Sequence, residues 1–229
     1  MATQEYTPEE LLGPLNEVEK KNAPKRLFVV GDVALLRVSP RVSVVGSRKA
    51  SPGGLERALH LSKLLVERGI TVVSGLAEGI DTAAHESAIA HGGRTVAILG
   101  TPLDQTYPAG NKALQARLMR EHLVVSQFPS GSPSRRENFP IRNRTMALLS
   151  DATVIVEAGD GSGSLHQGWE ALRLGRPLFV MESATKDSGL SWPEEMLRYG
   201  AQVLSRETLE VLFELLPQGT RDEAATVPF

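Results

Sequence analysis

The chain has 229 residues, 41% of them hydrophobic and 23% charged, which suits a soluble globular protein of one large or two small domains. It has no cysteine, so disulfides, thiolate catalysis and zinc–thiolate sites are excluded. No run approaches the ~20 apolar residues of a membrane helix and no apolar segment follows a basic start, so the expected location is the cytoplasm, with no membrane partner.

The net charge of −2 is unlike that of a nucleic-acid binder, but it is unevenly spread. Residues 1–20 carry five acids and one base, and residues 205–229 carry five acids and two bases, which leaves an excess of five bases over residues 21–204. Acidic ends around a basic body hint at an anionic ligand, because local field matters more than total charge.

In chain order, "RLFVV" (26–30) adds a strand before the core and "VSVV" (42–45) is the first core strand. Residues 55–66 place Leu55, Ala58, Leu59, Ser62, Leu65 and Val66 on one helical stripe, stopped by Gly69. The rhythm continues with a strand at 71–74, a helix over 82–91, a strand at 95–99, a helix over 112–121 and a strand at 123–126. It ends with a helix over 142–149, a strand at 153–157, a helix over 164–174, a strand at 177–180 and a helix over 206–216. Such βαβα alternation with continuous apolar strands implies an α/β fold whose mainly parallel sheet is covered by helices on both faces. The tail at 218–229 reads as disordered.

In such sheets ligands bind beyond the carboxyl ends of the strands. Here those ends are rich in glycine, serine and arginine. In "GSRKASPGG" (46–54), Gly46 and Ser47 form a turn that can present backbone N–H groups to a phosphate, and Arg48 and Lys49 add charge. The dinucleotide fingerprint is absent, and the second strand ends in Ser74-Gly75 without the acid that holds a ribose, so an ordinary nicotinamide dehydrogenase is not expected. In "SGLAEGID", Gly75 and Gly79 permit tight turns and Asp81 is placed to cap a helix. In "DGSGSL", Gly161 and Gly163 with Ser162 and Ser164 suit an anion nest at a helix start, a weak pattern by itself. The five histidines have no metal-site spacing and read as surface residues, His166 near the rim excepted.

"RRENFPIRNR" (135–144) is the strongest local signal. Phe139, between Asn138 and Pro140, reads as a loop residue free to stack on a base, while Arg136, Arg142 and Arg144 meet phosphates. Arg142 is expected in the first turn of a helix, whose N-terminus favours anions. The alternative has Phe139 packed under its loop and Asn143 bonding the backbone.

Together these motifs resemble the DNA-processing protein A family (DprA, also called Smf). The resemblance runs through "LFVVGDVALL", "VSVVGSRKASPGG", "ITVVSGLAEGIDTAAHESAIAHGGRTVAILGTPLDQTYPAGN", "NFPIRNRTMALLSDATVIVEA" and "SGSL", over residues 24–182. It implies an extended Rossmann-like domain over 24–217, after an acidic extension at 1–23. It also implies a homodimer that binds and protects single-stranded DNA and helps load a RecA-type recombinase in natural transformation, with no cofactor, metal or catalysis. The implied DNA contacts are Arg48, Arg136, Phe139, Arg142 and Arg144. The dimer would use C-terminal apolar surface from Leu197, Tyr199, Leu209, Leu212 and Phe213. The helical domain and winged helix that flank many members have no counterpart here, which leaves a reduced member or a relative with another job.

The Lonely-guy nucleotide phosphoribohydrolases share the superfamily. Arg142 falls on their signature arginine, but Gln167 falls on their catalytic glutamate, and Gln is no substitute for that carboxylate. Glu170, one helical turn on, is the possible replacement. Base release from nucleoside monophosphates is therefore one alternative, and a nucleotide sensor without turnover is another.

Overall fold

In the computed structural model, which describes residues 2–37 and 40–217, each apolar run read as a strand is one. Among the described residues the strands are β1 (Gln4–Tyr6), β2 (Leu27–Gly31), β3 (Arg41–Gly46), β4 (Thr71–Ser74), β5 (Thr95–Leu99), β6 (Leu123–Ser126), β7 (Ala152–Glu157), β8 (Leu178–Met181) and β9 (Gln202–Leu204). The helices are α1 (Pro8–Leu12), α2 (Glu17–Lys20), α3 (Pro52–Glu67), α4 (Ile80–Ala90), α5 (Lys112–Glu121), α6 (Asn138–Leu148), α7 (Ser164–Arg173), α8 (Glu182–Thr185), α9 (Trp192–Arg198) and α10 (Leu209–Glu214). The tail at 218–229 lies outside the described residues. No helix among them is long and apolar enough to cross a membrane.

One sheet runs in the order β1-β2-β6-β5-β4-β3-β7-β8-β9. β1 and β2 are antiparallel additions at one edge, and every pair from β6 to β9 is parallel. Alternate strand positions feed opposite faces. Val42 and Val44 pack with Leu61 and Leu65 of α3, Ala84 and Ala88 of α4 and Leu212 of α10. Val45, Val96 and Ile98 pack with Met146 and Leu148 of α6, Leu165 of α7 and Met196 of α9. Both faces are apolar because both are covered, which is why the core strands read as unbroken hydrophobic runs.

The chain moves outward from β3 through β4, β5 and β6, then returns to lay β7 on the other side of β3. The β3–β7 pair is therefore where strand order reverses, and the crevice beyond its carboxyl ends is the expected ligand site. The ladder shifts register between Val45 and Gly46, where β3 ends.

Three features differ from the sequence reading. First, α6 starts at Asn138 rather than near 142. Pro140 sits in the first turn, where a missing N–H removes no intrahelical bond. Phe139 is thus a first-turn helical residue, not a loop residue, and Arg142 stands in the second turn. Second, the acidic N-terminal segment is folded onto the sheet. β1 pairs with β2, and Leu11, Leu12 and Leu15 enter the core. Capping boxes at Thr7/Glu10 and Asn16/Glu19 start its two helices, and Arg176 pairs with Glu19 at 2.8 Å. Third, the C-terminal apolar residues are mostly spent on the core. Leu212 is fully buried, Leu209 and Phe213 pack against the same cluster, and Arg68 lies 4.4 Å over the Phe213 ring. Tyr199 stays 69% exposed, its ring edge-on to Trp169.

Candidate nucleic-acid interface

A cavity of about 530 Å³ opens at the β3–β7 crevice. The turn from Gly46 to Lys49 forms one side. Phe139, Arg142 and Asn143 of α6 form a second, and Gly161, Ser162, Gly163 and Ser164 before and at the start of α7 form a third. The motifs singled out in the sequence, far apart along the chain, thus meet at one site.

Arg142 is only 5% exposed, so it is not an arginine of the rim. Its Nε donates to Asn143 Oδ1 at 2.9 Å, and its Nη1 donates to the carbonyls of Gly75 and Ile98. Gly75 has to lack a side chain, since a Cβ there would stand 2.1 Å from Nη1. Nη2 has no hydrogen-bond partner among the described residues, and Arg142 lines the cavity. Burial pushes its pKa down, opposed by the charge of Asp81, and a guanidinium stays charged regardless. Asp81 is buried too, and its carboxylate accepts from the N–H groups of Gly75 at 3.2 Å and Ala77 at 3.3 Å. Burial raises its pKa, while Arg142 and these bonds pull it back. Rather than capping α4, Asp81 lies inside the first turn, and Gly79 holds the cap position with φ +75°. Asn143 ties the helix to the glycine loop, with Nδ2 donating to Gly163 O at 2.9 Å.

Above this buried layer sits an aromatic one. The Phe139 and Tyr107 rings lie 5.3 Å apart, tilted by 52°. The Arg48 guanidinium lies 5.2 Å from the Phe139 centroid and 5.8 Å from that of Tyr107. Phe139 packs down on Gly100, where a Cβ would meet the ring at 2.6 Å. Lys49 is exposed and lines the cavity.

The N-cap of α3 is already engaged by protein groups. Glu157, at the end of β7, accepts from Ser51 N at 2.7 Å and Ser51 Oγ at 2.5 Å, and pairs with Arg57 at 3.2 Å. A protein carboxylate thus fills the anion position of the first βα turn, and cations near the cavity come from side chains. Ser51 Oγ also accepts from Gly54 N, so Ser51→Ala is expected to lower stability by about 1–2 kcal/mol. A fall of a few degrees in the melting midpoint would register it, and an unchanged midpoint would mean that Glu157 caps the helix alone.

Other expected residues lie elsewhere. Arg136 and Arg144 are exposed and outside the cavity lining. Arg135 is exposed, 3.9 Å from Glu137. Asn138 is buried. Gly75 and Gly79 stand behind the wall, where a Cβ on Gly79 would meet Ser47 O at 2.3 Å. Gln167 is fully buried and lines the cavity, with Thr153 Oγ1 at 3.3 Å. Glu170 is turned to Arg173, paired at 2.5 Å, and does not line the cavity. His85, read as a surface residue, is fully buried, whereas His166 is exposed. Tyr107, on the rim loop after β5, is the second ring that the sequence offers for stacking, and the structure brings it beside Phe139. Among the described residues no cluster of histidine and acids is placed to hold a metal ion.

Sheet and site define a class: a Rossmann-like α/β protein whose ligand crevice is built from one buried guanidinium, exposed cations and paired aromatic rings. The family model for DNA recombination-mediator protein A matches residues 2–216, and the chain belongs to that family. The match extends the resemblance read at 24–182 to both ends of the described sheet. DNA processing protein DprA of Streptococcus pneumoniae is 38% identical over 194 residues, 84% of this chain and 67% of that protein. The X-ray structure of DprA from that organism superposes with a TM-score of 0.78 at 34% identity, covering 92% of this chain and 74% of that one. DNA processing protein A from Helicobacter pylori, described for its single-stranded DNA binding mode, gives a TM-score of 0.77 at 28% identity, covering 93% and 98%.

Proposed function

We propose that this chain binds single-stranded DNA across the carboxyl edge of its sheet, without chemistry of its own. The observation that carries the reading is Arg142, a buried guanidinium fixed by three hydrogen bonds beside the cavity. Above it stand the rings of Phe139 and Tyr107 and the exposed cations Arg48 and Lys49. Phosphates suit the cations, and unpaired bases suit the rings whatever their sequence. Duplex DNA keeps its base faces stacked and has nothing to offer the rings. The Helicobacter relative's binding mode supports the same ligand. Membership of a recombination-mediator family supports, as parts of the same proposal, protection of the strand, assistance to a RecA-type recombinase and a cytoplasmic location. A homodimer belongs to it too, for which Tyr199 and the half-buried Leu197 offer apolar surface.

The test is a competition titration with a labelled oligothymidylate, its duplex form and AMP. Single strands are expected to bind more tightly than duplex. With Arg48, Lys49 and Arg142 each meeting a phosphate, the log–log salt slope is expected near about −2. Tighter duplex binding, or binding indifferent to salt, would overturn the reading. A nucleotide-sensing or phosphoribohydrolase role is the second reading, favoured by a cavity large enough for a mononucleotide. Displacement of the oligonucleotide by low AMP would support it, and free adenine would mark the enzyme.

A further inference from the structure

The helix that carries Phe139, Arg142 and Asn143 is uncapped at one end and gripped at the other. The N-terminus of α6, at the cavity, has no side-chain cap. Its C-terminus runs into the turn at 149–151, and two largely buried arginines hold that turn. Arg41 holds it from β3. Its Nε and Nη2 donate to the Asp151 carboxylate at 3.1 and 2.9 Å, and its Nη1 donates to Leu36 O at 2.8 Å. Arg176 holds it from the loop before β8. Its Nη1 donates to Ala147 O at 2.9 Å and also to Ser150 O. A guanidinium there suits the negative end of the helix dipole.

The two grips differ in what stands behind them. Arg41 and Asp151 are enclosed in the core. Arg176 Nη2 instead reaches Glu19 Oε1 of α2 at 2.8 Å, the side chains being 10% and 16% exposed. The same carboxylate closes the capping box of α2, with Oε2 accepting from Asn16 N at 2.9 Å. α2 buries none of its residues, and a second tie runs from Arg173 Nη1 to Val18 O at 3.0 Å. Charge and hydrogen bonds therefore hold α2, rather than apolar burial. Loss of the Glu19 charge leaves the Arg176 charge uncompensated where water reaches it poorly.

We propose that Glu19 and Arg176 are positioning residues for the DNA site: through this pair, α2 clamps the last turn of α6 and so fixes where its cavity-lining residues stand. The inference rests on the single-stranded DNA reading above and adds the N-terminal segment to the parts that the site needs.

The experiment reads hydrogen–deuterium exchange of α6 and α3 in the free protein, beside oligothymidylate affinity at one salt concentration, all well below the melting midpoints. Glu19→Gln keeps an acceptor for the cap and removes the charge. It is expected to speed exchange in the last turn of α6 on the order of tenfold, with α3 unchanged, and to weaken oligothymidylate binding about threefold. Glu19→Lys, which sets like charges together, is expected to enlarge both effects. Glu17→Gln is the control, since Glu17 pairs with Lys20 in the open on the same helix, and neither readout should move. Wild-type exchange in α6 of Glu19→Gln overturns the proposal. So does equal acceleration in α3 and α6, the mark of a general loss of stability, and so does faster exchange in α6 with unchanged affinity. These outcomes leave the DNA reading standing, whereas a wild-type protein that binds no oligothymidylate defeats that reading and the positioning role with it.

Discussion

Arg142→Ala is expected to weaken the fold and the DNA complex together. The substitution strips the carbonyls of Gly75 and Ile98 of their buried donor and leaves the Asp81 carboxyl without the charge that opposes its burial. Unsatisfied buried groups of this kind cost roughly 3–5 kcal/mol in total, a drop of about 10 °C in the melting midpoint for a chain of this size. Binding, measured well below that midpoint, is expected to fall at least about tenfold, as for a lost charged hydrogen bond. Arg142→Lys keeps the charge but not the planar fork that serves both carbonyls, so it is expected to recover little stability. Arg135→Ala is the control, since an exposed arginine near Glu137 contributes little to stability. If Arg142→Ala melts with the wild type, the guanidinium is not a buried tie. If the two alanine variants lose affinity equally, the cations form a diffuse patch rather than a built site.

The depth of Arg142 also shows where sequence reading stops. The strands were legible because a doubly covered parallel sheet demands continuous β-branched runs, and "VSVV", "TVVS" and "TVIVE" are such runs. The rim was legible because strand ends that shape a crevice are rich in glycine and arginine. What escaped was long-range. The acceptors of Arg142 lie 67 and 44 positions away, and Glu157 reaches an amide 106 positions away. No local pattern announces such partners. Two local signals were present and outweighed. Pro140 is one, since proline is at home in a first helical turn and α6 begins two residues ahead of it. The Thr7/Glu10 and Asn16/Glu19 spacings are capping boxes, masked by helices of only five and four residues.

His85→Gln is expected to flatten the acid side of the stability profile. The histidine lies on α4 with no exposed surface. Thr95 Oγ1 donates its hydrogen to Val72 O at 2.9 Å, so in the 2.7 Å bond to His85 it must accept, and Nδ1 donates. Nε2 therefore carries the lone pair, sealed from water with no partner among the described residues. A second proton would have no acceptor and would feel the charges of His122 and Arg142. Burial first, then these neighbours, drive the pKa from 6.5 to about 3. A depressed folded-state pKa gives stability that is complete above the unfolded value and lost as pH falls. The loss here begins near pH 6.5 and proceeds at about 1.4 kcal/mol per pH unit until about pH 3. Asp81, with its pKa raised by burial, opposes this in the carboxylate range, because its folded form takes up a proton first. The readout is therefore a difference: urea unfolding of wild type and His85→Gln at pH 7.5, 6 and 5. Whatever the variant loses at pH 7.5 by disturbing Thr95, the gap between the two proteins should shift in its favour by about 2 kcal/mol by pH 5. Parallel profiles over that range would mean that the imidazole finds an acceptor or water in the folded state, and that α4 is not sealed against the sheet.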